Sequence, residues 1–353
     1  SVTTAGKCTL RAAMQEANAS VGDDSLVLPA GTYTLTVTGA GEERAATGDL
    51  DITGTGGITL RGAGMASTII DGGLTLRMSF RGPLDWPLML GYFARRAIAG
   101  VEWVDGDVYR RTIVIDGDAG VIEVTSGGPD HLLLRAHLPH VRGLIHVVEG
   151  ARRIFALDRD PTAANAHLGA DPVLGPLVAQ SPGLRVPGTW DAYETGVRAI
   201  VGQQVSVAGA STVTARIVER VGSVVPGLEV LGLTHTFPAP ATLASADLTG
   251  IGMPGARAAA IKAFAAAVDK GELPLDGSLS QDDLVAAICA VPGLGPWTAG
   301  VIALRMGELD TFPAADLGLR RAANPGGEPL STAALEARAE AWRPHRAAAA
   351  LRL

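Results

Sequence analysis

The 353-residue sequence predicts an α+β fold, with a β-rich opening, a mixed middle and an almost wholly helical last half. Three observations predict it. Gly-, Thr- and Asp-rich turns separate short β-prone runs up to about residue 75. One helical repeat followed by alternating runs fills 76–185. Apolar residues at helical spacing, punctuated by Pro and Gly, fill 186–353.

In the first stretch, a short helical pattern at Thr9–Ala19 precedes β-prone runs at Ser25–Leu28, Thr32–Thr38, Asp49–Thr53, Ile58–Arg61 and Thr68–Ile70. In the second, Trp86, Met89, Leu90, Phe93 and Ala97 share one face of a helix expected over Asp85–Ala99. Strands follow at Gly100–Val104, Val108–Asp116, Gly120–Thr125 and His131–His137. The turns Asp105-Gly106 and Asp116-Gly117 favour antiparallel hairpins. A helix then runs over Val141–Phe155. The third stretch predicts helices at Ala192–Gln203, Val207–Val221, Ala256–Lys270, Gln281–Ala290, Gly295–Met306, Asp316–Ala322 and Thr332–Trp342.

Composition narrows the function. Apolar residues make up 47%, enough for a sizeable core, and the net charge is −7. The first 75 residues hold four basic and eight acidic side chains; the rest hold 25 and 28. A protein gripping nucleic acid mainly by Lys and Arg would be basic, so any DNA contact must lean on backbone donors. With only Cys8 and Cys289, neither a disulfide framework nor a four-cysteine cluster can be built. No apolar run is long enough to span a membrane. The pairs Arg95-Arg96, Arg110-Arg111 and Arg152-Arg153 read as solvated faces.

The chemistry concentrates near the end. Val291-Pro-Gly-Leu-Gly-Pro-Trp-Thr-Ala-Gly300 joins two helical runs through a glycine turn. Such a turn can serve an ordinary helical hairpin, or point backbone N–H groups at a phosphate. Downstream, Asp316 stands where a helix starts. It can be a plain N-cap, or a carboxylate kept ionised by the helix N-terminus. A carboxylate beside a sugar C1′ stabilises the cation that forms when an N-glycosidic bond breaks, and it can orient or deprotonate a water.

The hairpin with an Asp about 20 residues on resembles the helix-hairpin-helix glycosylase superfamily. Leu84-Asp-Trp86, Leu90-Gly-Tyr92, Arg185-Val-Pro-Gly188, Gly196-Val-Arg-Ala-Ile-Val-Gly-Gln-Gln-Val-Ser206, Gly250-Ile-Gly-Met-Pro254 and Trp342-Arg-Pro-His-Arg346 are similar to AlkA-type 3-methyladenine DNA glycosylase II. The likeness runs from about Leu76 to the end. It implies a TATA-binding-protein-like antiparallel sheet domain (76–185) followed by an all-α helix-hairpin-helix bundle (186–353).

The resemblance also implies residue roles. Asp316 matches the catalytic aspartate. Gly293, Gly295 and Thr298 match the phosphate-gripping hairpin, near which a sodium or potassium ion often sits on the backbone at Gly293 and Gly295; no other cofactor is expected. Trp297 and Tyr92 match aromatic walls of the base pocket. Val301 and Leu317 stand where some relatives carry tyrosines, implying a more aliphatic pocket. Gln204 matches the wedge that fills the duplex where the base leaves. Trp297 replaces the Schiff-base lysine of bifunctional relatives, which implies hydrolysis without lyase activity. The expected partner is double-stranded DNA with alkylated bases, acted on by a cytoplasmic, nucleoid-associated bacterial monomer without membrane contact. After Leu353 the family continues with a helix bearing another pocket tryptophan, so a truncated C-terminus is expected.

Cys8-Thr-Leu-Arg-Ala-Ala-Met-Gln-Glu-Ala-Asn18 and Thr68-Ile-Ile-Asp-Gly72 resemble bacterial surface proteins with parallel β-helix domains. Residues 1–75 read as a β-rich extension, either a fused fragment or inert. The competing functions are a lesion-binding module that does not cut, and a surface β-helix protein.

Overall fold

The computed structural model describes residues 74–138 and 143–353, plus the backbone of four short strands before them. Of those strands, β1 (Asp24–Leu28) and β3 (Ile58–Gly62) pair in parallel, as do β2 (Gly31–Thr34) and β4 (Thr68–Asp71). The expected helix at 9–19 and strand at 49–53 lie outside the described residues.

The middle of the chain forms a five-stranded antiparallel sheet. Its strands are β5 (Leu74–Ser79), β6 (Glu102–Asp105), β7 (Val108–Ile115), β8 (Asp118–Gly128) and β9 (His131–His137). Their spatial order is β5-β9-β8-β7-β6. The β7–β8 turn places Asp116 and Gly117 at φ of 50° and 89°, the mirror-image turn that matches strand twist. The sequence reading missed β5, whose first residues fall inside the stretch taken as extension.

Two helices, α1 (Trp86–Ala94) and α2 (Leu144–Ile154), supply the apolar face over the sheet. Phe155 centres that core, its ring 5.1 Å from Trp86 and 5.5 Å from both Phe93 and Tyr109. Asp85 caps α1 by accepting from the Leu88 N–H at 2.9 Å. The helix stops at Arg95, short of the expected Ala99. Beyond it, the buried Glu102 carboxylate takes the Ile98 N–H at 3.2 Å and the chain turns into β6.

The rest is helical: α3 (Thr162–Leu168), α4 (Leu174–Gln180), α5 (Ala192–Val201), α6 (Val207–Val221), α7 (Pro240–Ser245), α8 (Gly255–Asp269), α9 (Gln281–Ala290), α10 (Pro296–Met306), α11 (Leu317–Ala322), α12 (Thr332–Ala339) and α13 (Arg346–Arg352). Helices α3, α4, α7 and α13, of six or seven residues each, were missed because fewer than two full turns show little periodicity. Helix α5 is the spine. Val197 and Ile200 are fully buried among Phe264 of α8 and Ile302 of α10. A side chain at Gly196 would lie 2.2 Å from the Phe264 ring, so only glycine lets the helices meet. A separate core joins Leu168 and Leu174 to Ala314, Leu335 and Trp342. No described helix is long and apolar enough to cross a membrane.

Buried ions tie sheet to spine. Arg111 of β7 donates to Glu194 of α5 at 2.7 Å, and Arg198 of α5 pairs with both Glu102 and Glu194. Tyr109 donates to Glu102 at 2.7 Å. Arg111 is thus no solvated residue, contrary to the reading of its pair. An isolated buried ion would be expelled, and only mutual pairing keeps these four charges inside.

Candidate active site

The hairpin between α9 and α10 is built on two glycines with different duties. Gly293 has φ of 83°, and a side chain there would meet Ala260 Cβ of α8 at 2.8 Å. Gly295 is extended and faces open space, as the N-cap of α10. No side chain caps this helix, and Pro296 has no N–H. Among the described residues the N–H groups of Gly293, Gly295, Trp297 and Thr298 have no acceptor. Unpaired donors at a helix start attract an anion.

Thr298 itself is buried, and its hydroxyl accepts from Gln203 Nε2 at 3.0 Å. Gln203 also reaches the Gly293 carbonyl at 3.5 Å, and its own carbonyl is held by Arg257 of α8. It thereby fixes the turn that ends α5. The next residue, Gln204, is exposed with φ of 58°, and the exposed Val205 and Val207 flank it. The sequence reading singled out Gln204 but passed over its neighbour. Gln203 sits between Gln204 and the hairpin, and nothing local reveals a contact 95 residues away.

Asp316 caps α11, its Oδ1 accepting from the Leu319 N–H at 3.1 Å. Its Oδ2 accepts from the Trp297 indole N–H at 3.1 Å. The cap and the carboxylate facing the cavity are one residue. The preceding loop is pinned: Ala347 donates to the Leu309 carbonyl at 2.9 Å, and Arg343 and Arg346 grip Asp310.

Asp316 borders a cavity of about 560 Å³ between α1, α10 and α13. Tyr92 and Val301 also line it. Leu317, 47% exposed, and Trp297 are not on its wall; the indole reaches the site only through Asp316. The cavity is rich in arginine, a feature the sequence reading missed. Arg95, Arg96, Arg185, Arg305 and Arg352 line it, against Asp85 and Asp316. Tyr92, expected as an aromatic wall of the base pocket, already carries Arg96 at 4.0 Å and Arg305 at 4.8 Å from its ring centroid. Arg96 lies just beyond the end of α1, four residues past Tyr92.

Among the described residues no group of three or more Asp, Glu, His or Cys side chains could hold a metal. A monovalent ion at the hairpin would rest on backbone oxygens, and the Gly293 carbonyl already faces Gln203 Nε2.

Known proteins give the context. The AlkA N-terminal domain family matches residues 75–191, and the HhH-GPD superfamily base excision DNA repair family matches 197–344. A Mycobacterium tuberculosis protein named as a bifunctional transcriptional activator/DNA repair enzyme AlkA is 39% identical over 80% of this chain. The chain spans only 56% of that relative's length. DNA-3-methyladenine glycosylase 2 of Escherichia coli is 35% identical, the match covering 78% of this chain and 95% of that protein. The structure of a 3-methyladenine DNA glycosylase from Archaeoglobus fulgidus superposes with a TM-score of 0.70 at 23% identity, over 78% of this chain and 96% of that one. A Clostridium acetobutylicum 8-oxoguanine glycosylase/lyase bound to double-stranded DNA shares the fold at a TM-score of 0.58 and 18% identity, over 72% of this chain and 86% of its own. With the hairpin, the capped aspartate and the antiparallel sheet in place, the chain belongs to the HhH-GPD superfamily of base excision DNA repair proteins, in the branch that carries an AlkA N-terminal domain.

Proposed function

We propose that this chain is a monofunctional DNA glycosylase that flips an alkylated purine, 3-methyladenine or 7-methylguanine, out of duplex DNA and hydrolyses its glycosidic bond. The observation that carries the reading is Asp316, held by Trp297 and Leu319 on the wall of a cavity large enough for a base. As the C1′–N bond breaks, its electron pair leaves with the base and the sugar becomes oxocarbenium-like. Asp316 stabilises that charge and takes a proton from the water that adds to C1′. The free N–H groups of the hairpin bind a backbone phosphate, which suits a chain of net charge −7. Gln204, exposed beside Val205, fills the gap left by the flipped nucleotide. Val301 and Tyr92 shape the base cavity.

Lyase chemistry needs an amine. The chain has three lysines, Lys7, Lys262 and Lys270; of these Lys262 and Lys270 are among the described residues, and neither lines the cavity wall. The test is release of free 3-methyladenine from methylated duplex DNA with borohydride present. Base release with neither strand nicking nor a trapped covalent adduct is expected. A trapped adduct overturns monofunctionality, and tight duplex binding with no base release points to a lesion-binding module instead.

A further inference from the structure

The charge on the cavity wall is opposite to what simple recognition of a cationic base would need. Five arginines face two carboxylates, and Asp85 is engaged in capping α1. Arg185 and Arg352 are occupied by carbonyls, through Ala156 and Arg159 for the first and Leu177 and Ser181 for the second. Arg95 is exposed to solvent, and Arg96 and Arg305 differ from the other three. Arg305 gives one N–H to the Pro187 carbonyl at 2.8 Å, and Arg96 one to Tyr92 at 3.4 Å. A guanidinium has five N–H donors, so both keep donors to spare beside Tyr92.

Bond heterolysis moves charge in one direction. The glycosidic pair passes to the base nitrogen, so a cationic base leaves neutral and a neutral base leaves as an anion. The sugar gains the positive charge in either case, until water adds to C1′ and gives up its proton. A fixed positive charge on the base side therefore opposes the starting state of a cationic substrate more than its transition state, which lowers the barrier between them, and it directly favours the transition state of a neutral one. Asp316 supplies the opposite charge on the sugar side.

We propose that Arg96 and Arg305 form the leaving-group half of this active site, accepting weaker binding of a cationic base in exchange for drawing the glycosidic electrons onto the base. The proposal rests on the glycosylase reading of Asp316. Tyr92 holds both guanidiniums in place by its ring. Burial, foremost, with repulsion from Arg305 and Arg95, lowers the Arg96 guanidinium from its ordinary value, against the opposing pull of Tyr92. Such partly desolvated charge acts more strongly than charge in water.

Single-turnover release is measured on two duplexes, one with 7-methylguanine and one with hypoxanthine as a neutral leaving group. Wild type is compared with Arg96→Gln, Arg305→Gln and Arg305→Lys. Each Gln variant is expected to lose about tenfold on 7-methylguanine and about a hundredfold on hypoxanthine, a loss of the size seen when one charge-stabilising donor is removed. On 7-methylguanine the half-saturating enzyme concentration should fall as the rate falls, a split that a merely structural role would not give. Arg305→Lys should recover most of the loss. Equal losses on both duplexes, or unchanged rates, overturn the proposal. If wild type binds both duplexes and releases neither base, the glycosylase reading falls and takes this inference with it. If Arg305→Gln does not fold, Arg305→Lys and Arg96→Gln still decide the comparison.

Discussion

The indole N–H of Trp297 meets Asp316 Oδ2 at 3.1 Å, joining the first turn of the hairpin helix to the cavity carboxylate. The other oxygen is held by the Leu319 N–H at 3.1 Å, so both oxygens are fixed and the carboxylate plane has one orientation. The hairpin helix and the cavity carboxylate are thus joined through one residue. Trp297→Phe keeps the ring and removes the donor. A hydrogen bond to a charged group contributes about 1.5–3 kcal/mol, so single-turnover base release should slow about tenfold or more. Affinity for undamaged duplex should stay within about threefold, because the N–H at Trp297 is backbone. A rate equal to wild type would show that the bond does not orient Asp316.

Gln203 bonded to Thr298 makes a second link, between the turn at Gln204 and the hairpin. Gln203→Ala and Thr298→Val should each slow base flipping, read as the fluorescence change of 2-aminopurine next to the lesion. The double variant should lose little more than either single one, since both remove the same bond. Thr298→Ser, which keeps the hydroxyl, should behave as wild type. Additive losses would place the two residues in separate roles.

Glu194 is buried with two arginines on it, and their charges and hydrogen bonds hold its carboxyl below the usual 4.5 despite the burial that pushes it up. A depressed folded value gives stability that is present above the unfolded value and lost as pH falls. Melting temperature should therefore drop as pH falls below about 4.5, and Glu194→Gln should flatten that part of the profile. Removing one partner strands a buried charge. Arg111→Met should cost about 3–5 kcal/mol in urea unfolding, as breaking such a pair usually does. A loss below about 1 kcal/mol would mean the network is solvated.

Gly293→Ala tests the hairpin backbone. The left-handed conformation costs a non-glycine residue about 1–2 kcal/mol, and here the new methyl would also meet Ala260 at 2.8 Å. Duplex affinity should fall at least about tenfold while Gly295→Ala, which faces open space, leaves the fold's melting temperature unchanged. Equal effects of both on melting would contradict the division of labour.

Local signals carried most of what the sequence revealed. The glycine turn, the N-cap position of Asp316 and the β7–β8 hairpin are each specified within a few residues, and each stands where expected. What stayed hidden depends on distant partners. Arg96 reads as one of a solvated pair until Arg305, some 200 residues on, closes over the same ring. Arg111 reads likewise until Glu194 buries it. Tyr92 and Val301 do line the cavity, but Trp297 meets only its Asp316 edge, and Leu317 is half exposed off the wall while Leu319, two residues on, lines it. Strand β5 escaped notice because its place is set by pairing with β9, not by its own pattern.

The most direct test of the account is the rate of 3-methyladenine release by Asp316→Asn under single-turnover conditions. Asparagine keeps an oxygen for the Leu319 cap, removes the negative charge and gives up the bond from the Trp297 indole. The account predicts a loss of at least about a hundredfold, with duplex affinity and melting temperature close to wild type. Release at the wild-type rate would contradict it.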